Sequence, residues 1–137
     1  MTGPAAEGDP LYLTLADVLA LYADIFSCTE REAVHQLRDR GGLESALARP
    51  AMHAHYQGAD LVMQAAVLAH GIAEGQYFVE GNKRTALAAC LTFLRANGHD
   101  VTASQAERAN WILELSRGRS VEDRLAGRLR SALDPPL

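Results

Sequence analysis

Apolar positions recur at helical spacing along almost the whole chain, and no stretch alternates convincingly with the period of two that a half-buried strand requires. Leu15, Val18, Leu19 and Tyr22 share one face of a predicted helix that Thr14 can cap and that runs to about Phe26. Thr29 with Glu32 forms a Thr-x-x-Glu capping box and predicts a second helix ending near Arg38. Gly41-Gly42 then reads as a break, followed by a short helix from Leu43 to Arg49 that stops at Pro50. From about Ala59 to Glu74 the pattern changes. Leu61, Val62, Ala65, Ala66, Leu68, Ala69, Ile72 and Ala73 cover more than half of the helix circumference, which marks a central helix. A second such helix is expected from about Lys83 to Ala96, ended by Asn97-Gly98. Ser104 with Glu107, and Ser120 with Asp123, are read as openings of two further helices, the last carrying Leu125, Leu129 and Leu133 up to Pro135-Pro136.

The fold class is therefore all-α, with about six to seven helices and a loop between the two central ones. A length of 137 residues suits one domain, expected over residues 11–134, behind a loose Pro/Gly/Ala-rich tail at residues 1–10. The formal net charge of −4 argues against a nucleic-acid binder, which needs a basic stripe to displace counterions. Arg117, Arg119, Arg124, Arg128 and Arg130 do gather late, but Glu114, Glu122 and Asp123 intersperse them as on a solvated helix face. Two cysteines, Cys28 and Cys90, have no metal or redox spacing, and no export signal or membrane span is evident, so a reduced cytoplasmic setting is expected.

The chemistry concentrates between the two central helices. Gly75 ends one, and Asn82 is expected to cap the next. A helix N-terminus offers unpaired N–H groups and the positive end of a dipole, a ready anion site. Lys83 and Arg84 stand in that first turn, where acids are the stabilising choice. Gly81 lets backbone approach a ligand closely, and Glu80 can hold a divalent cation against phosphate oxygens. A plain helix–loop–helix with two solvated cations remains the alternative reading of these residues.

The segment Phe78-Val-Glu-Gly-Asn-Lys-Arg-Thr-Ala resembles the signature of the Fic/Doc family, and its Asn-Lys-Arg-Thr ending resembles the death-on-curing (Doc) branch. Leu13-Thr-Leu-Ala-Asp-Val-Leu, the stretch Gly42 to Pro50, and Phe93-Leu-Arg-Ala-Asn-Gly resemble further landmarks of that branch, in order, over roughly residues 11–101. The resemblance implies an all-helical protein that uses ATP or another nucleoside triphosphate with Mg2+. Such proteins transfer a nucleotidyl or phosphoryl group to a protein hydroxyl; in the Doc branch the target is a translation factor. It implies Phe78 as a buried anchor, Glu80 at the magnesium position, Gly81 and Asn82 as a phosphate cradle, and Lys83 and Arg84 as cations that neutralise charge in transfer. A separate antitoxin is implied as partner, since no internal (Ser/Thr)-x-x-x-Glu-(Gly/Asn) inhibitory motif is found. No nucleic acid or membrane partner is expected.

One position departs from the pattern. The family places its general base, a histidine, where this chain has Gln76, and Tyr77 stands where many members have proline. A neutral amide does not take up a proton near neutral pH, whereas imidazole does. The nearest histidine, His70, lies six residues upstream, a different place on the helix, and reads as a buried, hydrogen-bonded core residue. His53 and His55 make a poor metal site by themselves, and His35 and His99 belong to no constellation. Tyr22 and Tyr56 are read either as core aromatics or as hydroxyls facing the cleft. Three readings stay open: an active transferase in which Gln76 only positions the acceptor, a degenerate nucleotide- or partner-binding module, and an active member whose histidine has been replaced. Impaired catalysis is the expectation.

Overall fold

Helix-start chemistry places the first elements. In the computed structural model, which describes residues 8–137, the Thr14 hydroxyl accepts from the Asp17 N–H at 3.2 Å while the Asp17 carboxylate accepts from the Thr14 N–H at 2.8 Å. The same reciprocal box at Thr29 and Glu32 opens the next helix. The elements run α1 (Leu15–Ile25), α2 (Glu30–Gln36), α3 (Arg40–Gln57), α4 (Leu61–Gly75), α5 (Asn82–Ala96), β1 (Asp100–Val101), α6 (Gln105–Glu114), α7 (Val121–Ala132) and β2 (Leu133–Asp134). Seven helices dominate the described residues, as the apolar spacing predicts.

The core is built around α4. Val62, Ala65, Ala66, Val67, Ala69 and Ile72 have no measurable exposure, and α4 packs against α3, α5 and α7. Its alanines, with Ala86 and Ala89 of α5, keep the surfaces low enough for neighbouring helices to approach closely. α5 in turn packs on α1 and α6, so the α4–α5 loop emerges from the centre of the molecule, with α1 alongside. The loop is thereby carried on the two most deeply buried helices of the fold.

Several expectations are corrected. Gly41-Gly42 does not break the chain: both lie in the first turn of α3, where the Asp39 carboxylate accepts from the Gly42 N–H at 2.9 Å. Nor does α3 stop at Pro50, which sits inside the helix. Leu43, Ala46, Leu47 and Pro50 form one buried strip. Burial of each leucine contributes about 1.5–3 kcal/mol, the same order as the ~3 kcal/mol cost of an internal proline. Asn82 is not the cap of α5; Gly81 is. Ser120 precedes α7 but makes no capping bond, being held at φ 58°. Two short strands add to the expected helices: β1 and β2 pair antiparallel, Val101 opposite Leu133 and Asp100 opposite Asp134. Two residues are too few to show a period of two. The expected tail, 1–10, falls outside the described residues over 1–7.

Candidate functional site

The α4–α5 loop begins with a left-handed residue that is not glycine. Gln76 closes α4 at φ 51°, ψ 50°. The chain beyond it is tied to the α2–α3 connection, because the Arg38 N–H donates to the Tyr77 carbonyl at 2.6 Å and the Val79 N–H donates to the Gln36 carbonyl at 2.8 Å. Between these bonds Leu37 and Phe78 form an isolated antiparallel bridge. Phe78 is fully buried and stacks on Tyr22 with ring centroids 4.3 Å apart. The Asn82 side chain clamps the Phe78 backbone from both sides, accepting from its N–H and donating to its carbonyl at 2.9 Å each. The Tyr22 hydroxyl donates to the Glu80 carbonyl at 3.2 Å. Burial, with the nearby Glu80 carboxylate and Cys28, pushes the Tyr22 pKa up, so the hydroxyl keeps its proton and remains a donor.

The start of α5 is left open. Gly81 has φ 78°, which an L side chain adopts only with strain, and a Cβ there would also overlap the Phe26 ring. No side chain caps the helix, and no acid stands in its first turn. Lys83 and Arg84 are exposed, and the Arg84 guanidinium lies over the Phe26 ring, 4.9 Å from its centroid. The Thr85 hydroxyl donates back to the Gly81 carbonyl at 2.8 Å and holds the turn. Backbone dipole and side-chain charge therefore have the same sign at this end.

Gln76, Gly81, Asn82, Lys83 and Arg84, with Ala73, line one cavity of about 250 Å³. Five of the six residues singled out in the sequence thus converge. Glu80 does not line the cavity; its side chain is exposed at the rim, and its backbone carries the bond from Tyr22. No cluster of three metal-ligating side chains exists among the described residues. Within the loop Glu80 offers a single carboxylate, which is the donor that a cation already bound to phosphate oxygens would need.

The other candidates lie elsewhere. His70 is half-buried rather than a core residue, its Nδ1 lying 3.0 Å from Glu122 and its Nε2 3.8 Å from Glu74. His55 packs edge-on against Tyr56, which is 77% exposed and so is not a core aromatic. A larger cleft of about 570 Å³ lies between α6 and α7, and across it Arg128 pairs with Glu114 at 2.9 Å. Phe26 was not singled out in the sequence. Its spacing of four from Tyr22, which brings the two rings within 4.5 Å on one helix face, is the signal that marks it.

Residues 12–94 match the Fic/DOC family. The chain belongs to that family. Of the elements, β1, α6, α7 and β2 lie wholly outside the matched span, which takes in α1 to α4 and nearly all of α5. A relative named Toxin Doc, from Mycolicibacterium smegmatis, is 43% identical over 72 residues, covering 50% of this chain and 54% of that protein. The match thus spans about half the length of that curated relative. Among the described residues of this Fic/DOC chain, no helix is long and apolar enough to cross a membrane.

Proposed function

We propose that this protein is a Doc-like, toxin-type member of the family that binds a nucleoside triphosphate with Mg2+ at residues 76–84. Its transfer chemistry is impaired because Gln76 holds the position of the base. The observation that supports this reading is the uncapped start of α5, with Gly81 in the left-handed region and two cations in the first turn of an open cavity. Such a start is costly to the fold unless an anion completes it.

When bound, the Mg-nucleotide supplies the phosphoryl or nucleotidyl group. The chain's own residues do the rest. The N–H groups of the first turn of α5 bind phosphate oxygens, with Gly81 admitting them to the backbone. Lys83 and Arg84 neutralise the charge that develops during transfer, the main task in phosphoryl chemistry. Glu80 supplies a carboxylate to the metal, and Asn82 keeps Phe78 and the loop in register. Gln76 accepts and donates hydrogen bonds and so can orient an acceptor hydroxyl of a protein substrate, a translation factor by family analogy. It takes no proton from that hydroxyl near neutral pH. A second reading follows from the same residue: a nucleotide- or partner-binding module of a toxin–antitoxin system that has given up turnover.

Incubation with ATP labelled in the γ- or α-phosphate and a cytosolic extract separates the two. The expected result is little or no labelled protein from the native chain, and transfer about 10²–10⁴-fold faster from a Gln76→His variant, the usual worth of a general base. Equal transfer by both proteins refutes the impaired-enzyme reading, and transfer by neither favours the binding module.

A further inference from the structure

We infer that Tyr77 is a positioning residue whose ring, seated in a slot made by Gly42 and Gly75, holds Gln76 in its left-handed turn and fixes the entrance of the loop. The placement of the glycines carries this. At the end of α4 the residue that needs glycine's backbone freedom is Gln76, at φ 51°, yet the glycine stands one position earlier. Gly75 is helical and has no positive φ. Conformation does not call for glycine there; space does. A Cβ on Gly75 would fall inside the Tyr77 ring, overlapping its Cζ, Cε2 and hydroxyl oxygen. Gly42 tells the same story from the other side. It is an ordinary residue of the first turn of α3, and a Cβ there would come within 2.5 Å of Tyr77 Cε1 as well as overlapping the Asp39 carboxylate that caps α3.

Two helices thus forgo a side chain to admit one ring. The backbone that carries the ring is tethered too: the Tyr77 carbonyl accepts from both Arg38, at 2.6 Å, and Asp39, at 3.3 Å. Ring and carbonyl together fasten the loop to the N-terminus of α3. The strained residue in between, Gln76, is held by its neighbour rather than by its own preference, and strain of this kind persists only where surroundings over-determine it. Tyr77 does not line the cavity, so its effect on a ligand passes through Gln76 and the loop.

A double-mutant cycle with two local readouts tests this. In the native background Gly75→Ala lowers the melting temperature by at least about 4 °C. In a Tyr77→Ala background the same change is neutral or raises it, because alanine is the better helix former once the ring is gone. Equal shifts in both backgrounds overturn the slot. Hydrogen exchange of the amides at 76–81 is expected to quicken about tenfold or more in Tyr77→Ala, with the amides of α6 and α7 unchanged, and to return to native rates in Tyr77→Phe. Unchanged loop exchange in Tyr77→Ala overturns the positioning role. The consequence for binding rests on the proposed nucleotide site: Mg-ATP affinity falls about tenfold in Tyr77→Ala and not in Tyr77→Phe. Absence of Mg-ATP binding by the native chain defeats that proposed site, while the cycle and the exchange rates still decide for or against Tyr77.

Discussion

α4 and α5 are the two central helices, and they begin in opposite ways. α4 starts on Asp60, whose carboxylate accepts from the Met63 N–H at 2.9 Å and is gripped by both terminal nitrogens of Arg130, at 2.6 and 3.0 Å. The hydrogen bond from Arg130, ahead of the amides it also caps, holds the Asp60 carboxyl below its ordinary value. α5 starts on Gly81 with no side-chain cap and with Lys83 and Arg84 where an acid would be stabilising. One end has its dipole answered from within the chain. The other presents the same unmet need, reinforced, to a solvent-open cavity. The difference separates a terminus completed from within the chain from one left open, and each substitution below attacks one side of it.

Arg84→Ala has the largest expected effect. A hydrogen bond to a charged group is worth about 1.5–3 kcal/mol, so Mg-ATP affinity measured by calorimetry drops roughly 10- to 150-fold while the melting temperature hardly moves. Equal affinity of the two proteins would remove Arg84 from the site. Asp60→Ala acts on the other helix. It deletes a cap worth about 1 kcal/mol and an ion pair that, being nearly half exposed, adds at most about another 1 kcal/mol. Denaturant titration is expected to show that loss with Mg-ATP affinity intact. Because folding depresses the Asp60 carboxyl below its ordinary 3.8, the ion-pair share is full well above that pH. It drains away as pH falls through the lowered value, so native and variant proteins converge in acid. Lys83→Glu has the smallest expected effect and inverts the comparison. It puts an acid where the dipole wants one and stabilises α5 by about 0.3–1 kcal/mol, yet weakens nucleotide binding. A variant that loses stability and keeps its affinity would mean that α5 was never shaped by an anion.

Local chemistry made α1, α2 and α6 legible, because Thr14, Thr29 and Ser104 each meet their own acidic partner three residues on. Apolar density marked α4 and α5 for the same reason that they are central: little else can pack there. The failures share a cause. Gly41, Gly42 and Pro50 carry strong local signals for a break, and packing of α3 against α4 overrides them. Ser120 has the residue type of a cap and the wrong backbone for one. At the loop, the residues that line the cavity were legible from charge and spacing. What holds them was not, since Phe26 under Arg84, the Asn82 clamp on Phe78 and the slot for Tyr77 all join residues through space.

Resting on the face of Phe26 before any ligand arrives, the Arg84 side chain has already surrendered part of its rotamer freedom. Ordering a long, flexible side chain on association ordinarily costs about 0.5–1.5 kcal/mol. Here folding has met part of that cost, through an aromatic contact that involves no opposite charge and so leaves the full positive charge available to any anion. An aromatic ring can hold a cation still without neutralising it, which a carboxylate in the same place could not do.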